Sequence, residues 1–378
     1  MAKRLKVAML THSTHIGGAE RIPLNYMQDF KLDKDIELKL FVNDSNNHSD
    51  YDKEIEENGY RVKYLGNRFI PYKNQNVFRK ILNTINRNLR LLFELRKYKP
   101  DVVHNHQSWE FRFTLLPMIL SGAKLLFSTL HSNPTRVKRL ILILSRLAFN
   151  QLGVKPICLN QFQAELAQRI YGFKKYDILH NGIDISKIKS KIITQSEARK
   201  LFHIPSNSLV ICGIGHLVTI KRFDLLIDAF SIVKQQNKKA ILLLAGDGEE
   251  FQNLRKKVEY YKLLDSVIFL GNISNPIPLY CASNICCIPS ETESMCLVLM
   301  EAQLCNLRCI ISDGVPHESI ITNLVSRVKT NASPIDWAKA ILEQKPIIEQ
   351  PSFSESDYDI HSISRQLKDI YLKYYLKD

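Results

Sequence analysis

The sequence predicts an α/β protein built from two parallel sheets covered by helices. Short apolar runs alternate with amphipathic runs along all 378 residues. That is the pattern of strands buried on both faces by crossover helices. Most strand-like runs end in a polar or glycine-containing loop, which is where such sheets hold ligands. The length exceeds what one hydrophobic core usually organises, so two domains are expected.

The elements follow in order. Lys6–Leu10 is a buried-strand run, followed by a glycine-containing loop and a helix from about Ala19. Strands are expected at Leu38–Val42 and Arg61–Leu65, then a long helix near 77–98. Asp101–His104, Leu125–Thr129, Pro156–Leu159 and Asp177–Leu179 continue the strand series. The second half repeats the style with Leu209–Gly213, a helix at 222–236, Ala240–Ala245, a helix at 249–262, Val267–Leu270, Ile285–Ile288, a helix at 295–305 and Arg308–Ile311. The pattern implies two Rossmann-like domains facing a cleft, joined near 181–207. A last amphipathic run at 360–376, with Ile363, Leu367, Ile370, Tyr371 and Tyr374, is expected to pack back on the N-terminal domain. The expected division is 1–180, 181–355 and a C-terminal helix at 356–378.

Composition excludes several classes. No run approaches the roughly 20 apolar residues of a membrane span, and the N-terminal apolar run is too short for a signal peptide. The eight cysteines match no zinc spacing and lie mostly in apolar runs, as small buried hydrophobes of a reducing compartment do. The cytosol is the expected location. Charge is lopsided: residues 1–180 carry 29 Lys and Arg against 16 Asp and Glu, whereas residues 181–378 carry 23 against 22. Such a block implies a local anionic partner. Nucleic acid is disfavoured, because the basic block lacks interleaved aromatics and no recognition motif is present.

Chemistry concentrates in Pro289 to Gln303. Glu293 follows a strand and Glu301 interrupts an apolar helix, where a carboxylate rarely sits without a partner. A helix start offers free N–H groups and a positive dipole end to an anion such as diphosphate. Carboxylates on either side could accept hydrogen bonds from sugar and ribose hydroxyls, the layout of a nucleotide sugar. Lys221, before another apolar helix, could meet the same phosphate. Gly17-Gly18 and Gly246-Asp247-Gly248 are strand-end glycine turns. Histidines stand at two strand ends, His104 and His106 at one and His131 at the other. Asp33-Lys34-Asp35 has an acidic spacing, but it is expected to be a solvated turn and no metal site.

Taken together these segments resemble a retaining glycosyltransferase of family 4 with the GT-B fold. The carriers are Gly17-Gly18-Ala19-Glu20-Arg21, Asp101-Val102-Val103-His104-Asn105-His106, Thr129-Leu130-His131, His180-Asn181-Gly182-Ile183-Asp184, His216 through Phe230, Gly246-Asp247-Gly248, Phe269-Leu270-Gly271 and the Glu293 to Glu301 motif. The stretch from Glu301 to Asp313 resembles members that build bacterial exopolysaccharide, capsule or O-antigen. The resemblance implies roles. Glu293 would bond the donor sugar, amides of Ser294, Met295, Cys296 and Leu297 would hold the diphosphate, and Glu301 would bind ribose. Lys221 would neutralise the leaving diphosphate, beside His216 and Gly246. Gly17 and Gly18 would close over the phosphate side, Ile273 would sit near the base, and His131 would line the reacting centre. It further implies a UDP-sugar donor, a lipid-linked glycan acceptor met by the N-terminal domain, retention by a front-face mechanism, and no cofactor.

Two departures stand out. His216 occupies the usual arginine position, exchanging a permanent charge for a titratable one, and Ser294-Met295-Cys296 replaces Gly-Phe-Pro. The alternatives are a GT-B sugar-nucleotide epimerase and a weak transferase homologue acting as a partner subunit. On the helix near 77–98, Phe78, Ile81, Leu82, Ile85, Leu89 and Leu92 share one face, expected to pack on the sheet. Arg79, Lys80, Arg87, Arg90 and Lys97 fall opposite, as an expected landing face for anionic lipid and acceptor on the inner face of the cell membrane.

Overall fold

Among the described residues, every strand lies in one of two wholly parallel sheets. The computed structural model describes residues 4–14, 17–46, 48–66, 77–106, 111–134, 137–343 and 354–376. The chain divides into two compact units, Met1–Ile183 with Tyr358–Asp378, and Asp184–Asp357.

The first unit holds β1 (Leu5–Thr11), β2 (Ile36–Val42), β3 (Val62–Tyr64), β4 (Val102–Asn105), β5 (Leu125–Thr129), β6 (Val154–Cys158) and β7 (Asp177–Ile178), in the order 3-2-1-4-5-6-7. Its helices are α1 (Gly18–Phe30), α2 (Asp50–Asn58), α3 (Val77–Tyr98), α4 (Phe111–Leu120), α5 (Arg139–Asn150) and α6 (Gln161–Tyr171). The second unit begins with α7 (Ile185–Ser190) and α8 (Gln195–Leu201). Its strands are β8 (Leu209–Ile214), β9 (Ala240–Ala245), β10 (Val267–Gly271), β11 (Ile285–Ile288), β12 (Arg308–Ser312) and β13 (Val325–Val328), in the order 10-9-8-11-12-13. Helices α9 (Phe223–Gln236), α10 (Phe251–Tyr260), α11 (Ile277–Ala282), α12 (Leu297–Leu304) and α13 (Pro334–Leu342) complete it. Strands read as continuous apolar runs because both sheet faces are covered: Leu242, Leu243, Leu244 and Ala245 of β9 are all fully buried.

Several helices are absent from the sequence expectation. α4 reads Phe-Arg-Phe-Thr-Leu-Leu-Pro-Met-Ile-Leu and carries Pro117 inside it; with apolar residues all round and a proline, it shows no 3.6-residue period. The capping boxes of α2 (Ser49 with Asp52) and α13 (Ser333 with Asp336) were readable start signals.

The last helix, α14 (Ile360–Tyr375), packs on the first unit as expected. Ile183 pairs with Asp359 in a bridge, and Lys373 and Tyr374 both bind the Asp177 carboxylate at 2.9 and 2.8 Å. Lys368 lies between Asp33 and Asp35 at 2.9 and 2.6 Å. The acidic turn is therefore a clasp for this helix rather than a merely solvated loop.

The long basic helix corrects an expectation. α3 buries Arg87, Asn88, Leu91 and Leu95, while Phe78, Ile81, Leu82, Ile85, Leu89 and Phe93 stand exposed, between 49% and 68%. Arg87 was expected on the solvent side, yet its guanidinium lies over the Phe113 ring at 4.9 Å. Asn88 donates to the carbonyls of Thr84 and Arg112. Those contacts give the polar face a protein partner, and the apolar stripe turns outward. Arg79, Arg90 and Lys97 are exposed, with Arg90 also donating to the Leu65 carbonyl at 3.0 Å; the Lys80 side chain lies outside the described residues.

Candidate functional site

In the second unit β8 and β11 are hydrogen-bonded neighbours, but the chain leaves them toward opposite edges of the sheet. At such a switch point the two loops part and leave a crevice beyond the strand ends. The β8 loop ends in a turn at Thr219–Lys221, closed by Arg222 at a left-handed φ of 53°. The β11 loop runs from Pro289 to Cys296. Here Lys221 Nζ meets Glu293 Oε1 at 2.5 Å, and Ser290 Oγ donates to the same oxygen at 2.7 Å. Burial opposes charge on Lys221, but Glu293 more than offsets it, and the ammonium is held above its ordinary range.

Backbone contacts fix this corner. Glu291 N–H donates to Ile220 O at 2.8 Å and Glu293 N–H to Gly314 O at 2.9 Å, while Ser312 Oγ bonds the Ser290 carbonyl. A Cβ on Gly314 would stand 2.2 Å from the Glu291 carbonyl oxygen. Gly246, expected to serve the donor, has a packing reason for its identity: a Cβ there would lie 1.9 Å from Gly215 O. His216 is exposed on the same loop, and Ile273 is half-buried just after β10.

The helix expected over 295–305 starts at Leu297. Ser294, Met295 and Cys296 are buried, and the Cys296 N–H already donates to Ser319 Oγ at 3.0 Å. The amides left without an acceptor inside the helix are those of Leu297 and Val298 at its start. Glu301 Oε2 accepts from Tyr280 OH at 3.0 Å. Burial first, then Glu301, pushes the Tyr280 phenol far up, so it acts as a donor. Ser290, Ser319 and Tyr280 escaped the sequence expectation. Ser290 stands three residues before Glu293, a spacing that could have been noticed; the other two come from remote segments. If Glu301 holds ribose, Glu301→Ala should weaken binding of free nucleoside diphosphate by about 1.5–3 kcal/mol. Calorimetry giving unchanged affinity would remove it from the site.

In the first unit Gly17 is the N-cap of α1 and Gly18 its first residue; residues 15 and 16 of that loop lie outside the described part. Neighbouring β4 and β5 bring the strand-end histidines together. His106 Nδ1 lies 2.8 Å from His131 Nε2. His104 is fully buried between Thr129 Oγ1 at 2.7 Å and Tyr371 OH of α14 at 2.6 Å. Burial lowers His104 to about 3 and His131 to about 4 and holds His106 well below the usual range, so the cluster is neutral.

Comparison with known proteins agrees across the chain. The sequence model described as "Glycosyltransferase Family 4" matches residues 16–187, and that described as "Glycosyl transferases group 1" matches residues 194–345. The putative glycosyltransferase EpsF of Bacillus subtilis is 26% identical over 336 residues, spanning 86% of this chain and 84% of that protein. An Escherichia coli UDP-Gal:alpha-D-GlcNAc-diphosphoundecaprenol alpha-1,3-galactosyltransferase is 24% identical over 85% of this chain and 82% of its own length. The crystal structure of Anabaena HepE with UDP-glucose superposes with a TM-score of 0.78 at 17% identity, covering 98% of this chain and all of that one. The chain belongs to glycosyltransferase family 4 and has the GT-B fold.

Proposed function

We propose that this glycosyltransferase moves a sugar from a UDP-sugar to a lipid-linked glycan with retention of configuration, in the assembly of a bacterial surface polysaccharide. The carrying observation is the corner at the β8–β11 switch point. Lys221 beside Glu293 and the open amides at the start of α12 suit a diphosphate, with Glu293 assigned to the sugar on one side of it and Glu301, further along the helix, to the ribose on the other. Lys221 and the amides stabilise charge on the departing diphosphate, an interaction that grows in the transition state. Glu293 orients the sugar, Glu301 the ribose, and the leaving phosphate takes the acceptor proton. The relatives support the pathway: besides EpsF, a Staphylococcus aureus capsular polysaccharide glycosyltransferase, CapH, is 23% identical over 97% of this chain. Thermal-shift screening against nucleoside diphosphate sugars, with and without chelator, tests the donor. A sugar nucleotide at ~100 times its dissociation constant should stabilise by roughly 2.7 kcal/mol. A panel in which no sugar nucleotide raises the midpoint would reject the donor assignment.

The first unit is the proposed acceptor side, at a membrane surface. Among the described residues no helix is long and apolar enough to cross a membrane. The support is the exposed stripe of α3 flanked by Arg79, Arg90 and Lys97, with exposed Leu116 and Leu120 on α4 and Leu140 and Ile143 on α5. An apolar stripe beside basic residues suits an anionic bilayer, where each Lys or Arg contributes roughly 1 kcal/mol. Ile81→Glu with Ile85→Glu should release the chain from acidic liposomes at any salt. Arg79→Glu with Lys97→Glu should release it mainly at low salt. Pelleting of both double variants like the parent would sink the membrane assignment. Arg87 is unsuited to such a test, because its replacement would disturb the core.

A further inference from the structure

His104 and His106 have no part in the chemistry described above, yet both are buried, and His106 is only 5% exposed. The rings form a stack: His104 to His106 at 4.3 Å between centroids and His106 to His131 at 5.1 Å. Tyr26 lies 6.2 Å from His106 on the α1 side, and the Tyr371 hydroxyl bonds His104 on the α14 side. Among the described residues no carboxylate bonds His106 or His131, and the groups facing His106 are His104, His131 and Tyr26.

The hydrogen-bond arithmetic constrains the pair. Two neutral imidazoles carry two N–H groups and two lone pairs. The His106 Nδ1 to His131 Nε2 contact uses one of each. Among the described residues, His106 Nε2 and His131 Nδ1 are left buried with no partner. In either tautomer, one of these two nitrogens carries an unmet proton and the other an unmet lone pair. Burying such groups unsatisfied is costly. A ligand hydroxyl, which both donates and accepts, can satisfy His131 Nδ1 in either state. In each tautomer of the pair both rings are neutral, so a hydroxyl that complements either state creates no charge.

We propose that His106 is a positioning residue for glycosyl transfer: it fixes the plane of His131 and ties its tautomer to its own, so that His131 Nδ1 meets a substrate hydroxyl as a neutral hydrogen-bonding group. This rests on the placement of His131 at the reacting centre. Thr129, His104 and Tyr371 brace the inner side of the stack.

Two arms test it. Proton–nitrogen correlation spectra of histidine-labelled protein, without ligand, should show His106 and His131 neutral near pH 7, with one ring protonated at the shared contact. A charged ring, or no proton at that contact, would overturn the proposal whether or not the chain transfers sugar. The second arm is kinetic. His106→Asn places an amide N–H where Nδ1 stood and should keep kcat within about threefold of the parent. His106→Leu keeps the bulk but not the bond and should lower kcat about tenfold, the scale of one lost buried hydrogen bond, with the donor KM unchanged. Equal impairment of the Asn and Leu variants would reduce His106 to a packing residue. Parent-like kcat in the Leu variant would remove it altogether. Intact spectra with no transfer from any sugar nucleotide, even in the parent, would instead place the failure in the assigned activity.

Discussion

Lys221→Ala should lower turnover by about 10²–10³-fold at saturating donor, the cost of removing one preorganised charge from a developing anion. Two features of the corner support so large an effect. Lys221 Nζ is already in place, 2.5 Å from Glu293 and partly withdrawn from water, so little reorganisation is needed when the diphosphate departs. Its removal also takes away the ammonium bonded to the Glu293 carboxylate, and the added negative charge opposes departure of an anion. Lys221→Arg should recover only part of the loss, because a planar fork does not replace a compact ammonium. The companion variant Glu293→Ala should spare binding of free nucleoside diphosphate and impair transfer, because Glu293 is assigned to the sugar. Steady-state kinetics and calorimetry measure both. A Lys221→Ala enzyme within threefold of the parent, or a Glu293→Ala enzyme that loses nucleotide affinity as Glu301→Ala does, would overturn the division of roles.

The second large effect is on stability in mild acid. His104 and His106 are buried and neutral, with His104 held at about 3. Unfolded, each imidazole titrates near 6.5. Below that value the unfolded chain binds protons that the native state refuses, so stability falls as pH falls. The slope approaches about 1.4 kcal/mol per pH unit for each imidazole. The full contribution is present above about 6.5, and the loss continues down to the folded values. Two such groups predict a decline of roughly 2 kcal/mol between about pH 6.5 and 5.5, because the slope is only half developed at the upper end. Urea unfolding across that interval measures it. A flat profile would show that the cluster takes up protons in the folded state. His104→Asn should remove one imidazole's share of the slope.

Much of this architecture was legible in the chain because parallel strands buried on both faces leave an unmistakable apolar signature. The runs at Leu38–Val42, Leu125–Thr129, Ala240–Ala245 and Ile285–Ile288 needed no tertiary information. Glu293, Glu301 and Lys221 stand out as candidates because each breaks a local rule: a charge in or beside an apolar segment. What the sequence withheld was the partner. Tyr280 reaches Glu301 from 21 residues away and Tyr371 reaches His104 from 267, and no local pattern encodes such pairings. The orientation of α3 was misjudged for a related reason. A helical wheel ranks faces by hydrophobicity, but Arg87 and Asn88 found Phe113 and two carbonyls, and specific partners outweighed bulk apolarity. Multiple helical faces of similar apolar content are where periodicity alone loses its power.

The clasp that holds α14 has a temporal consequence. The polypeptide enters the second unit at Asp184 and returns to the first at Tyr358. On the ribosome, the β1–β7 sheet emerges long before the helix that covers His104. At about 5–20 residues per second, roughly 10–40 s separate the two. Throughout that interval Asp33, Asp35 and Asp177 lack their lysines, and the inner imidazole is uncovered. The second unit, by contrast, is one unbroken stretch of chain and can consolidate as soon as it is made. The earlier-synthesised half therefore finishes last, and a nascent chain stalled before residue 358 would present an unfinished surface to chaperones.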